Sequence, residues 1–218
     1  KQERRLGTSP DWDRERFTLD PQYSRAVMEC FIRLHQKGLI YRGHYIVNWC
    51  PRCQTALSDE EVEHADVAGT LWYLKYPIKG TEKSITVATT RPETMLGDTG
   101  IAVHPKDRRY AHLKGKVAVL PLVRRELPIV FDDMVDPKFG TGAVKVTPAH
   151  DPNDFQVAQR HGLPPIVVID ERGMMNENAG DFRGLDRTEA RERIVEALRD
   201  AGYIERTERH THSVGHCS

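Results

Sequence analysis

Two segments of this 218-residue chain hold more polar chemistry than folding alone requires. The first is Thr89, Thr90, Arg91, Pro92, Glu93 and Thr94, where the strand-like run ITVA gives way to a predicted helical turn. Thr90 and Glu93 have the spacing of a capping box, which satisfies amides at a helix start without any ligand. Capping needs neither three threonines nor an arginine, however. Hydroxyls beside a guanidinium at a helix N-terminus suit an ester carbonyl or a phosphate oxygen.

The second segment runs Lys145, Val146, Thr147, Pro148, Ala149, His150, Asp151, Pro152, Asn153, Asp154, Phe155. Asp151 before Pro152 reads as an N-cap, and Asp154 in the first turn complements the helix dipole. The strand before it is harder to explain by folding. Period-2 alternation places Val144 and Val146 on one face and Lys145 and Thr147 on the other, the latter leading towards the aspartates. A polar face that ends in a lysine, a threonine, His150 and two carboxylates is more than a cap requires, and it reads as a site.

A third candidate is Cys50-Pro51-Arg52-Cys53, whose two thiols could form half of a tetrahedral zinc site. Cys217 could add a third thiolate, and the usual spacer would put a fourth ligand at about position 220. His210, His212 and His216 could substitute, although histidines near a terminus are more often solvated than ligated. Two resemblances carry nothing. His212 to His216 has one residue too many for a synthetase His-x-Gly-His signature, and the glycines of Phe139 to Ala143 lack Walker-loop spacing. Nothing in the chain binds ATP by a recognisable motif.

The elements that must position these residues follow from patterning. Asp20 and Pro21 form a cap and first turn, and Tyr23, Val27, Cys30, Phe31 and Leu34 then recur at helical spacing until Gly38. Cys30 sits in that stripe and is expected in a core. Leu39 to Trp49 reads as extended chain leading into the cysteine pair and the acidic stretch Ser58 to Asp66, which together look like a stalk. From Gly69 the texture changes to short β-rich runs, LWYLKYPI, SITVATT, GIAVH, KVAVLPLV, LPIVF and GAVKVT, divided by Gly, Pro and charged turns. Two helices interrupt them, Pro152 to His161 and Thr188 to Ala201, each with a glycine behind it. In the second, Ala190, Ile194, Ala197, Leu198 and Ala201 line one face. The expected fold class is α+β, a β-barrel-like sheet with peripheral helices plus a helical and extended stalk. No internal repeat or low-complexity segment is visible.

Bulk composition restricts the function classes. Hydrophobic residues make up 39% of the chain, ordinary for a globular protein, and 32 basic residues balance 32 acidic ones. No global field therefore draws the chain onto nucleic acid or an anionic membrane, and any RNA contact must be local. No apolar run approaches the roughly 20 residues that span a bilayer, and the charged opening KQERRLGTSPDWDRERF is unlike a signal peptide. The expected location is cytoplasmic. Four cysteines are too few and too uneven for a disulfide scaffold. The absence of an initiator Met, and a last cysteine that reads as the start of a motif, are expected of a piece of a longer protein.

Taken in order, DWDRERFTLD, the helix running to KGLIYRG, WCPRCQTALSDEEVE, ATTRPETMLGDT, FGTGAVKVTPAHDPNDF and HSVGHC resemble the valyl-tRNA synthetases among the class I aminoacyl-tRNA synthetases. Nearly the whole chain is covered. Relatives for isoleucine and leucine share the threonine-rich segment, but Lys145 is characteristic of the valine enzymes. The resemblance implies an inserted editing domain: 1–48 flanking the catalytic body, 49–68 a stalk with half a cysteine knuckle, 69–207 the editing β-barrel, and 208–218 a return strand. It implies hydrolysis of tRNA(Val) mischarged with threonine, the partners being the tRNA 3′ end and the catalytic body of the same enzyme, with no membrane.

By the same resemblance Lys145, Asp151 and Asp154 are catalytic, and Thr89, Thr90, Arg91, Thr94, Thr147 and His150 bind substrate. Asp151 is similar to the carboxylate that holds the α-ammonium, and Lys145 with Asp154 to the pair that reads the threonine hydroxyl. Cys50, Cys53 and Cys217 would be the metal ligands. Editing needs no cofactor, zinc would sit at the knuckle, and ATP belongs to the parent enzyme, so the chain is not expected to aminoacylate alone. The chemical need is plain. An apolar synthetic pocket rejects an added hydroxyl weakly, the documented case being valine enzymes themselves at roughly 10²-fold. Two other readings stay open, a zinc-knuckle RNA-binding module without catalysis and an editing domain for isoleucine or leucine.

Overall fold

The computed structural model describes residues 2–217. The chain divides into two compact units, one ending at Tyr45 and one running from Ile46 onward.

In the first unit, helix α1 (Gln2–Arg5) and a 3₁₀ turn at Trp12–Arg14 precede helix α2 (Pro21–Gln36). The Asp20 carboxylate accepts from Tyr23 N at 2.7 Å and Pro21 opens the first turn, as the cap pattern predicts. The helix unwinds through Gly38 at φ +70°, while Leu39 N donates back to Leu34 O. One expectation fails here. Cys30 is exposed, and no residue of α2 is buried. The apolar stripe is real in sequence, but a 45-residue unit built around one long helix supplies no second layer to cover it.

The second unit carries the β-structure. Strands β1 (Asn48–Cys50) and β2 (Thr55–Leu57) form a small hairpin around the cysteine pair. Ser58 and Glu61 then make the reciprocal bonds of a capping box at the turn Asp59–Glu61. Strand β3 (Val62–Pro77) pairs antiparallel with β4 (Ser84–Thr89) on one side and with β9 (Ile204–Cys217) on the other. Both β3 and β9 run from the cysteine end into the core, with a shift of pairing register between Tyr73 and Leu74.

A second sheet has the order β6 (Val117–Val119), β7 (Glu126–Phe131), β5 (Gly100–Val103), β8 (Ala143–Val146), with β5 and β7 parallel. A bridge between Ile78 and Ala118 joins the sheets, and Thr141 Oγ1 donates to Thr86 O at 2.6 Å. The α+β class is as expected. The barrel-like surface is open, because no sheet closes on itself among the described residues.

The main core lies between the sheets and helix α4 (Arg187–Asp200), which contributes Ala190, Ile194 and Leu198 to Leu74, Tyr76, Val87, Leu96, Ile101 and Leu127. Ala201, placed on this face by periodicity, lies beyond the helix and is exposed, while Val195 is buried instead. A smaller core joins Val146 to Val157 and Ala158 of helix α3 (Pro152–His161). This second contact fixes the start of α3 beside the end of β8, where the candidate aspartates lie.

Candidate functional site

Strand β8 does what its alternation predicts. Val146 enters the smaller core, and Lys145 and Thr147 point the other way. Opposite them lies the 3₁₀ helix Pro92–Gly97, every residue of which is buried. Gly97 is required there by close approach, since a Cβ would meet Ile166 O at 2.7 Å. Immediately after this helix comes Asp98, fully buried.

These residues form one hydrogen-bonded network. The Lys145 ammonium donates to Thr94 Oγ1 (3.0 Å), Thr147 Oγ1 (2.5 Å) and, more loosely, Asp98 Oδ1 (3.5 Å). An ammonium has three N–H groups, so each has an acceptor. Thr94 passes its own proton to Arg91 O (3.0 Å), and Thr147 passes its own to Asp98 Oδ1 (2.5 Å). Tyr76 donates to Asp98 Oδ2 at 2.8 Å. Thr147 N then donates to Asp154 Oδ2 (2.8 Å), and Asp154 N donates to Asp151 Oδ1 (3.1 Å). The strand cation and both helix carboxylates are thus connected through Thr147.

The carboxylates differ in environment. Asp151 is half-buried and caps α3, accepting also from Asn153 N at 2.8 Å. Asp154 is buried, and burial pushes its carboxyl up to about 7 against the pull of Lys145 and the Thr147 amide. Burial likewise raises Asp98, opposed by Lys145, Thr147 and Tyr76. Both effects on Tyr76, burial and the neighbouring Asp98 charge, keep its phenol protonated.

The rim of the cluster is set by Arg91. Its backbone N donates to Thr89 Oγ1 (3.0 Å), its guanidinium donates to His150 O (3.1 Å) and to Glu93 Oε1 (3.3 Å), and the rest of the side chain is exposed. Thr90 is half-buried beside it. His150 acts as a neutral pin: burial, with Arg91 and Lys145 nearby, lowers it to about 4, and Nε2 accepts from Val168 N at 3.0 Å. The imidazole proton is therefore on Nδ1.

The capping box expected at Thr90 and Glu93 is not formed. Arg91 occupies the N-cap position without a side-chain cap bond. The Glu93 carboxylate is fully buried and accepts two 2.8 Å bonds from Arg191 of α4, with Arg91 Nε at 3.3 Å. A buried carboxylate flanked by two guanidiniums gains more from them than from one exposed amide. Its effect is to anchor the threonine-rich segment to α4.

Four contributors escaped the sequence reading: Asp98, Tyr76, Arg191 and Arg125. Arg125, from the β6–β7 turn, donates to Leu96 O and Asp98 O at 2.9 Å each and so closes the end of the 3₁₀ helix. A carboxylate two residues before GIAV, a strand buried at every position, was the available signal for Asp98. Alternation along LWYLKYPI places Tyr76 with Trp72 and Leu74. Two broader surface hollows, one bounded by Ile78, His112 and Lys116 and one by Asp132, Arg160 and His161, include none of the candidate residues.

At the far end of β3 and β9, the sulfurs of Cys50, Cys53 and Cys217 all lie within 4.8 Å of one another, with Cys53 to Cys217 at 3.9 Å. Zinc–thiolate bonds of about 2.3 Å give a tetrahedral edge of roughly 3.8 Å, so three corners of such a site fit. Cys53 N donates to Cys50 Sγ at 3.4 Å, and that backbone amide lowers the Cys50 thiol. No histidine joins the group among the described residues. His210 and His212 stack on each other instead, ring centroids 6.2 Å apart.

Comparison with known proteins gives the chain a family and a fold relative. The sequence is 63% identical over 212 residues to the valine–tRNA ligase of Thermotoga maritima, covering 97% of this chain and 24% of that protein. It is 60% identical over 217 residues to that of Carboxydothermus hydrogenoformans, covering 100% and 25%. The chain thus spans about a quarter of the length of these relatives. Among solved structures, a leucyl-tRNA synthetase of Agrobacterium radiobacter K84 in a ternary complex with tRNA shares the fold, with a TM-score of 0.52 at 22% identity over 97% of this chain and 35% of that one. No helix is long and apolar enough to cross a membrane among the described residues. Residues 1–210 match the family described as tRNA synthetases class I (I, L, M and V), and the chain belongs to that family.

Proposed function

We propose that this chain is the editing segment of a valine–tRNA ligase, and that it hydrolyses threonine from mischarged tRNA(Val). The observation that carries the reading is the network that gathers the Lys145 ammonium, two threonine hydroxyls and the carboxylates of Asp154 and Asp151 behind the exposed Arg91. Such a lining favours a guest that brings a hydroxyl and an ammonium. A threonine hydroxyl can join this hydrogen-bonded network, whereas a valine side chain brings only methyl groups to a polar surface, so correct product is spared.

In this account the outer face of Asp151 holds the substrate α-ammonium. Arg91, with Thr89 and Thr90, grips the terminal nucleotide, and Lys145 and Thr147 meet the side-chain hydroxyl. An aminoacyl ester is already activated, so no covalent nucleophile is needed. A water attacks the carbonyl carbon, the ester C–O bond breaks, and the ribose oxygen leaves with a proton. Asp154, raised to about 7, suits the role of proton acceptor from that water, because a general base works best near the operating pH.

The test is deacylation of threonyl-tRNA(Val) by the full-length ligase. Asp151→Ala is expected to slow it by roughly 10²-fold, the scale of a misplaced substrate. An undiminished rate would refute the pocket. A second part of the reading concerns the cysteines. Cys50, Cys53 and Cys217 would hold zinc, which ties the β1–β2 hairpin to the end of β9 when bound. Purified ligase should then carry zinc that Cys53→Ser loses, as read by elemental analysis; equal zinc content in both would remove these ligands from the account.

A further inference from the structure

We propose that Asp98 is a positioning residue for this site, the buried anion that pairs with the Lys145 ammonium and aims it; this rests on the editing function proposed above. Three observations carry it. Asp98 is fully buried, and its Oδ1 sits 3.5 Å from Lys145 Nζ, the one salt bridge described for that lysine. The same oxygen accepts from Thr147, so one carboxylate orients both Lys145 of β8 and the threonine just beyond that strand. Finally, Asp98 is itself held from two sides. Tyr76 of β3 donates to Oδ2, and Arg125 of the β6–β7 turn donates to the Asp98 carbonyl.

The alternative counter-ion, Asp154, is differently placed. It is engaged with the Thr147 amide and lies next to Asp151, whose charge opposes its ionisation. The charged and titratable groups facing the pair are Tyr76 from β3, Arg125 from the β6–β7 turn, Asp154 and Asp151 from α3, and His150 with Arg91 at the rim. Of the carboxylates among them, Asp98 alone contacts Lys145 directly. A division of labour follows: Asp98 fixes the cation from behind, which leaves Asp154 to exchange a proton at the front.

Removing the Asp98 charge should therefore blunt the reading of the side-chain hydroxyl. In the full-length ligase, Asp98→Asn should slow threonyl-tRNA(Val) deacylation on the order of 10–100-fold, while the slow hydrolysis of valyl-tRNA(Val) changes little. Tyr76→Phe, which removes one hydroxyl and keeps the ring, should act in the same direction by a few-fold and serves if Asp98→Asn fails to fold. Valine charging of tRNA reports that each variant ligase is intact.

The inference is overturned if a folded Asp98→Asn enzyme matches the wild type within twofold, or loses the same factor on the threonyl and valyl esters, as a purely structural residue would. If Asp98→Asn fails to fold, a Tyr76→Phe enzyme indistinguishable from wild type overturns it as well. A wild-type ligase that does not hydrolyse threonyl-tRNA(Val) overturns the editing function itself, and is thereby distinguished from a failure confined to Asp98.

Discussion

Asp154→Asn is expected to make the chain more stable above neutral pH while abolishing most of its deacylation. Burial raises the Asp154 carboxyl from 3.8 in the free side chain to about 7. A carboxyl raised by folding contributes stability that is fully present below its unfolded value, near 4, and lost as pH climbs through the folded value. The ionised form above pH 7 is therefore a liability of the native state, of about 4 kcal/mol as an order of magnitude. Asparagine does not titrate, and its oxygen can still accept the Thr147 amide that Asp154 now holds. Urea unfolding of both proteins from pH 4 to 9 should show curves that coincide at the acid end and separate upward through pH 7. Parallel curves would show that Asp154 is ionised without strain. A residue kept at such a cost to stability fits a catalytic role.

Lys145→Met should do the opposite. The lysine side chain is nearly matched in length by methionine, so the loss is chiefly charge and hydrogen bonds. Asp98 would remain fully buried, with its tyrosine and threonine donors but no cation. Breaking a buried pair in this way costs about 3–5 kcal/mol. For a chain of this size that is roughly a 10 °C fall in Tm. The fall should deepen with pH, because Asp98 can relieve the strain by taking a proton only when protons are plentiful. Adding Asp98→Asn should restore much of the loss, since a pair removed together leaves no orphan charge. A double variant no better than Lys145→Met would show that the two side chains are not energetically coupled.

The contrast between these two residues shows what could be read from the sequence. The strand alternation that turned Lys145 and Thr147 away from the core is a local, two-residue period, and it held. The caps at Asp20 and Asp151 are equally local, each a carboxylate meeting amides two or three residues ahead. The partners of the site are not local. Asp98 meets Lys145 across 47 residues and Tyr76 across 22, and Glu93 meets Arg191 across 98. No period or spacing encodes such pairs.

The same gap explains two of the failed expectations. Glu93 has the right spacing for a capping box, but a distant arginine competes for it and wins. Cys30 lies on an apolar stripe, but a stripe marks the need for a partner and does not supply one. The sheet runs were legible because turn residues punctuate them; how the two sheets meet rests on links such as the Ile78–Ala118 bridge and the Thr141–Thr86 bond, which no motif announces.

The editing account is tested most directly by the ratio of two hydrolysis rates, threonyl-tRNA(Val) over valyl-tRNA(Val), measured in the full-length ligase and in its Lys145→Met variant. A site that reads a hydroxyl through the Lys145 ammonium should favour the threonyl ester by at least 10²-fold, and the variant should lose most of that preference by failing on threonine. Equal rates on the two esters in the unaltered enzyme, or a preference that survives loss of the lysine, would contradict it.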